Sequence, residues 1–334
     1  MTFKNFSKIF NASEVVTFAK LKNTSWAVDA FIEIFRLGGM QGKVQLINPQ
    51  GEPTMHITAA LANITKCIHY NIDNIWIFDS RHTRIEKVGE VKKRKDAVDK
   101  QRKTAESKLA ELKKMADGID PEELKELDSD YEEEVKRVEQ KLKTLDIHKG
   151  FGGKIADIKF LLNCLGVKWI QIEDDMEAEQ LGALMAIEGI VQGVRTTDPD
   201  ALSFGSPVLL KKVPKKTGTY NKYVIADCLS QHDITYDQFI DIHVAMGTDF
   251  APKYPRIGVK RVVNAVCTPN YLDKWTKSQE EAKKIFKERP EIDFDKLIQI
   301  PERTPESIVA LVEWLTVVQG FDKNKVEKKL KLIS

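Results

Sequence analysis

The sequence predicts an α/β protein with a mostly parallel or mixed central sheet sandwiched by helices. Two observations carry that reading. Short continuous apolar runs, Trp26-Ala27-Val28 and Ile75-Trp76-Ile77-Phe78, suit strands covered on both faces. Segments with apolar residues at helical spacing alternate with them, as at Ile57, Leu61, Ile64 and Ile68. With 334 residues and 42% hydrophobic content, the chain can bury a large core.

In chain order, a strand closes on Asp29 and a helix runs over 30–37. A helix over 55–70 precedes a second strand closing on Asp79. A helix over 154–165 leads to a third strand over 167–172 and a helix over 176–187. Further strands are expected over 189–196 and 207–213. The C-terminal third reads as helices over 236–246, 258–266, 279–287 and 305–319, then a basic stretch over 323–331. Between the second and third strands lies a different segment. Residues 88–115 are charged and almost free of glycine and proline. Asp120-Pro121 then reads as an N-cap followed by a first helical residue, opening a second charged helix over 122–145. Together they predict an αα-hairpin. By itself such a hairpin reads as a solvated protrusion; its basic first half, beginning just after a strand-end acid, suggests a clamp.

Net charge is only +2, but it is polarised. Residues 87–114 hold 11 basic and 5 acidic side chains, whereas 117–134 hold 10 acidic residues and one Lys. Local fields of this kind decide where a polyanion lands. The four cysteines, far apart and in no metal-ligand spacing, read as buried reduced thiols of an intracellular protein. No apolar run is long enough for a signal peptide or a membrane span, so no membrane partner is expected.

Seven acids stand where a strand end or a helix start would aim them at one pocket: Asp29, Asp79, Glu177, Glu179, Asp198, Asp200 and Asp249. Any one alone reads as an N-cap or a solvated loop residue. Glu-Ala-Glu and Asp-Pro-Asp each leave one residue between two acids, which turns both side chains to one side of an extended or turning backbone. Convergent carboxylates repel unless cations sit among them, and oxygen donors suit Mg²⁺ or Mn²⁺. Two such ions can stabilise both the entering and the leaving oxygen of a phosphodiester.

These residues match a family. The segments are 27–30, 76–79, 176–179, 197–207 (Thr-Asp-Pro-Asp-Ala-Leu-Ser-Phe-Gly-Ser-Pro) and 246–249, the last running into Arg256-Ile257-Gly258-Val259-Lys260-Arg261. In order and approximate spacing the chain resembles the flap endonuclease family of 5′-structure-specific nucleases, of the archaeal, eukaryotic and large-DNA-virus type. The resemblance covers roughly residues 24–94 and 155–265.

It implies a PIN-like nuclease core with a helical arch and a helix-two-turn-helix. The divisions would be 1–86 and 151–235 for the core, 87–150 for the arch and 236–334 for the duplex-binding helices. The seven acids would hold two Mg²⁺ ions, with Mn²⁺ able to substitute. Lys87 and Arg94 would contact the scissile phosphate. Phe35 would stack on an unpaired base, although an aromatic at that place also reads as core. Gly258, Lys260 and Arg261 would lie nearest duplex phosphate, and a K⁺ would sit among the carbonyls of that hairpin. The implied activity is metal-dependent cleavage of flap or branched DNA in replication, repair or recombination, by an intracellular monomer. The alternatives are a four-way-junction resolvase acting as a dimer, a DNA-structure-binding scaffold without catalysis, and an RNA-directed nuclease of similar core. The chain departs from the family at Thr2, where Gly is usual, and at Asn63, where many members carry a basic residue. Arg256 and Val259 replace a Gly and a Pro of the hairpin, and the acidic stretch 117–134 is an insertion. No sliding-clamp peptide is read near Ser334.

Overall fold

Strand and helix alternate around a seven-stranded sheet. The computed structural model describes residues 5–38, 46–80, 85–116, 129–145, 151–214, 216, 218–269 and 274–333. The strands are β1 (Glu14–Thr17), β2 (Ser25–Asp29), β3 (Asp73–Phe78), β4 (Trp169–Gln171), β5 (Val194–Arg195), β6 (Val208–Lys212) and β7 (Thr219–Val224). Their order is β1-β7-β6-β5-β2-β3-β4. From β6 to β4 all neighbours are parallel, and β7 and β1 add an antiparallel edge. The sheet is therefore mixed.

The helices are α1 (Ala30–Gly38), α2 (Met55–His69), α3 (Ile85–Ala116), α4 (Ser129–Leu145), α5 (Phe151–Leu165), α6 (Ala178–Ile187), α7 (Asp200–Ser203), α8 (Ile225–Ser230), α9 (Tyr236–Met246), α10 (Val262–Cys267), α11 (Lys277–Lys287), α12 (Phe294–Leu297), α13 (Pro305–Glu313) and α14 (Lys323–Leu330). Both faces of the sheet are covered, because residues alternate in direction along each strand. Ala27, Ile75, Ile77, Val194 and Leu209 join Leu181 and Met185 of α6 and Phe239 and Ile242 of α9 in the main core. On the other face, Trp26 and Leu210 join Cys67 of α2 and Tyr220 of β7.

Residues 1–87 and 156–334 form one unit, and 88–155 form a second. Within the second, Ala105 and Val138 are buried between α3 and α4. The Tyr131 hydroxyl donates to the Leu112 carbonyl at 3.1 Å, and Lys108 pairs with Glu134. Of the second hairpin helix, expected over 122–145, residues 129–145 are seen. Its expected start at Asp120-Pro121 lies outside the described residues.

Several elements differ from the sequence reading. β1 and β7 were not expected: only Val16 of β1 and Tyr220 and Tyr223 of β7 are buried, so neither reads as a continuous apolar run. The strand over 189–196 shrinks to Val194–Arg195, because Gly189 takes φ +75° and turns the chain first. The helix over 258–266 begins only at Val262, with a turn in which Val262 N–H donates to the Gly258 carbonyl. Three cysteines are buried as expected, but Cys267 is exposed, since it closes α10 at the surface.

Candidate active site

Parallel strands end at one edge of a sheet, so residues following them gather there. Asp29 is the last residue of β2 and Asp79 follows β3 directly. Glu177 is the N-cap of α6 and Glu179 lies in its first turn. Asp198 and Asp200 follow β5, with Asp200 opening α7. Asp249 follows the turn at Gly247, whose φ of +92° ends α9.

Four of the carboxylates are fixed by local contacts. Asp29 Oδ1 accepts the Ile32 N–H at 3.0 Å and Oδ2 accepts the Thr196 hydroxyl at 3.1 Å. The same Thr196 oxygen accepts the Asp198 N–H at 3.1 Å, and Asp198 Oδ1 accepts the Asp200 N–H at 3.1 Å. Asp79 Oδ1 accepts the Ala178 N–H at 2.7 Å, tying β3 to the start of α6. Helix α7 is braced from α9: Ser203 Oγ lies 2.6 Å from His243 Nδ1, and Asp200 Oδ1 lies 3.1 Å from His243 Nε2.

The acids feel one another. Burial, and then the charge of Asp29, push Asp79 from 3.8 up to about 7. Burial raises Glu179 well above its ordinary range, helped by Asp29, Asp198, Asp79 and Glu177. Asp29 and Asp198 also rise, mainly through burial. Burial opposes the charge of Asp200 too, but His243, Asp198 and Lys87 together outweigh it and hold that carboxyl low. Among these groups sits Lys87. Its ammonium pairs with Glu177 and lies 3.5 Å from Asp249 and 4.9 Å from the Phe250 ring centre. Burial works against that charge, yet Glu177, Glu179 and Asp200 keep it protonated above its usual range. Through contacts and mutual fields the structure brings all seven acids and Lys87 into one pocket.

Among the described residues, no three His, Cys, Asp or Glu side chains already close on one point as a ligand set. Lys87 supplies the countercharge between Glu177 and Asp249. The donor set still fits divalent cations. Every acid donor is a hard oxygen, the buried Asp200 Oδ1 has no aligned hydrogen-bond donor, and burial, with lesser help from neighbouring carboxylates, pushes four of the carboxyls up.

Phe35 lies on α1 and Arg94 on α3, but their side chains lie outside the described residues. Beyond α9, Thr248 Oγ1 accepts the N–H groups of Phe250 and Ala251 at 3.1 and 3.0 Å. Arg256 takes φ +58°, the left-handed conformation that a Gly adopts more readily. Arg261 donates to the Arg256 carbonyl at 3.0 Å. A Cβ on Gly258 would meet nothing within 4 Å, so its backbone is open to approach, and Lys260 and Arg261 are exposed beside it.

Sequence reading missed Thr196, Arg195 and His243. Arg195 is buried on β5, 3.1 Å from Asn63 Oδ1 and 3.6 Å from Glu33. The only available signal was a lone polar residue inside an apolar run, Val194-Arg195 or Ile242-His243-Val244.

An XPG I-region family model matches residues 166–249, which contain five of the seven acids. Flap endonuclease 1 of Nematostella vectensis is 24% identical over 331 residues, covering 92% of this chain and 79% of that protein. Flap endonuclease-1 from Methanococcus jannaschii shares the fold with TM-score 0.67 at 20% identity, over 98% of this chain and 96% of that one. The catalytic core of Rad2 in complex with DNA substrate does so with TM-score 0.66 at 16% identity, over 99% of both chains. The chain is thus similar to flap endonucleases along nearly all of its length and shares their fold, and its 166–249 segment matches the XPG I-region.

Proposed function

We propose that this protein hydrolyses a phosphodiester of flap or branched DNA, at or near the junction of duplex and 5′ single strand. The observation that carries the reading is the pocket at the carboxyl edge of the sheet, where acids from separate segments gather and Lys87 pairs with Glu177 beside Asp249.

Asp29, Asp79, Glu177, Glu179, Asp198, Asp200 and Asp249 are the residues that would hold two divalent ions, Mg²⁺ or Mn²⁺. Bound there, the ions supply Lewis-acid stabilisation of charge on the phosphate oxygens. The chain's own groups do the rest. Thr196, the Ala178 N–H and His243 orient three of the carboxylates. Lys87 offers a positive charge that is transferable from Glu177 to an incoming phosphate, offsetting charge in the transition state. Arg94 takes the same role one helical stretch further on, and Phe35 supplies a stacking face for an unpaired base. Duplex backbone is gripped at Gly258, Lys260 and Arg261, whose exposure suits phosphate contact. A K⁺ among the hairpin carbonyls belongs to the same reading. The protein acts as a monomer and leaves a 5′-phosphate and a 3′-hydroxyl.

The test is cleavage of end-labelled flap, nicked, gapped and four-way substrates in Mg²⁺. The flap is expected to be cut fastest, and Asp79→Asn should slow it by ~100-fold or more, the scale on which a positioned electrostatic group acts. Preferred cutting of the four-way substrate, by a species that sediments as a dimer on it, would replace this reading with junction resolution. Wild-type cleavage by Asp79→Asn would remove the site assignment.

A further inference from the structure

Asp200 and Ser203 stand three residues apart on α7, so their side chains share one face of that turn. Both reach the same imidazole. His243 is fully buried and lies against the Phe286 ring at 4.8 Å between centres. Its Nδ1 is 2.6 Å from Ser203 Oγ and its Nε2 is 3.1 Å from Asp200 Oδ1. Ser203 Oγ and Asp200 Oδ1 thus bracket the two ring nitrogens and fix how the ring is turned. The Nε2 contact is close but off-axis for a hydrogen bond, and the buried ring is faced toward Asp200 by its packing. Tyr236, two turns earlier on α9, donates its hydroxyl to the Ser203 carbonyl at 2.6 Å. Helix α9 thus grips α7 at two side chains and at its terminal carbonyl.

We propose that His243 is a positioning residue for Asp200, with Ser203 fixing the orientation of its ring, so that this carboxylate meets a divalent cation in one rotamer. The inference rests on the metal-binding reading above. A histidine serving only the core needs no specific partner on α7; here both ring nitrogens face that one turn, and one of them faces an acid of the pocket. Groups that hydrogen-bond a metal's ligands set its affinity, and losing one costs roughly 10–100-fold. The residue touches neither substrate nor reacting atoms, so its effect belongs to ion affinity and not to DNA affinity.

The experiment is calorimetric titration of the DNA-free full chain with Mn²⁺, for the wild type and for His243→Leu, His243→Gln, Ser203→Ala and Asp200→Asn. Single-turnover flap cleavage across a Mg²⁺ series and a thermal melt accompany each. The expected result is a Mn²⁺ dissociation constant raised ~10–100-fold in His243→Leu, with a parallel rise in the Mg²⁺ half-saturation of cleavage. The DNA concentration for half-maximal rate should stay unchanged. Gln, which keeps an N–H donor, should recover most of the affinity, and Ser203→Ala should weaken it by less than Leu does. A folded His243→Leu with a wild-type isotherm overturns the proposal. If His243→Leu does not fold, a wild-type isotherm in Ser203→Ala overturns it equally. Asp200→Asn separates the two levels. An unchanged isotherm there defeats the metal-binding reading, whereas a weakened one beside an unchanged His243→Leu defeats only this inference.

Discussion

Asp79 is held near 7 by burial and by the charge of Asp29, and this makes protons and divalent ions rivals for the pocket. The sign follows from linkage. Its folded value lies above the ordinary 3.8, so its stabilising contribution is complete below 3.8 and is lost as pH rises through about 7. Asp29, Glu179 and Asp198 shift in the same direction. Asp200 shifts the other way, but its depressed value acts only in acid, outside this window. The metal-free protein should therefore melt lower at pH 8 than at pH 6, and Mg²⁺ should raise the melting temperature more at pH 8. Equal gains at the two pH values would show that the acids do not share a cation. Lys87 is the pocket's internal rival for the same place. Replacing it with Met removes one positive charge beside Glu177 and Asp249, so DNA-free Mn²⁺ binding should tighten roughly tenfold, about the Coulomb energy of such a neighbour. Cleavage should fall at the same time, because the phosphate loses its cation. A variant with weaker Mn²⁺ binding would contradict this opposition between affinity and rate.

Helix α6 carries Glu177 and Glu179 at its start, and its seat on the sheet sets where they point. Gly182 makes the seat close: a Cβ there would stand 3.0 Å from Ala27 Cβ and 3.1 Å from Val194 Cγ2. Gly182→Val should cost ~1–3 kcal/mol through overpacking and lift the helix from β2 and β5. A lower melting midpoint together with a raised Mn²⁺ dissociation constant is the expected pair of readings. A destabilised protein with an unchanged isotherm would mean that the two glutamates are placed by something other than this contact. The elements that carry the acids were legible because their signals are local. Ile75-Trp76-Ile77-Phe78 is a continuous apolar run, as a strand buried on both faces must be, and Asp79 simply follows it. β1 and β7 were not legible. Glu14–Thr17 buries one residue and Thr219–Val224 two, in the antiparallel part of the sheet, and short strands this polar resemble loops. His243 was illegible for another reason: its partners Ser203 and Asp200 lie 40 or more residues away, and no local pattern announces a contact made only in the fold. The ion pairs of Lys87 with Glu177 and Asp249 have the same long-range origin.

At the scale of the chain, a net charge of +2 conceals a division of labour between two units. The larger unit, 1–87 and 156–334, contains all seven acids and Lys87. The smaller, 88–155, exposes Lys92, Lys93 and Lys95 along the first half of α3. A helix this polar buries little, so these lysines are not retained for packing. Solvated surface and contact with a phosphate backbone are the two roles open to them, and salt dependence separates the two. Neutralised phosphates release counterions, and a single strand contributes about −0.7 to the slope of log affinity against log salt for each contact. If all three lysines meet the 5′ strand, changing them together to Gln should flatten the slope for flap DNA by about 2 and weaken binding at low salt. Binding of blunt duplex and the DNA-free Mn²⁺ isotherm should stay as they were, because neither Gly258, Lys260 and Arg261 nor the acids are altered. An unchanged slope would make α3 a solvated face. A slope that flattened equally for blunt duplex would reassign the lysines from the single strand to the double helix.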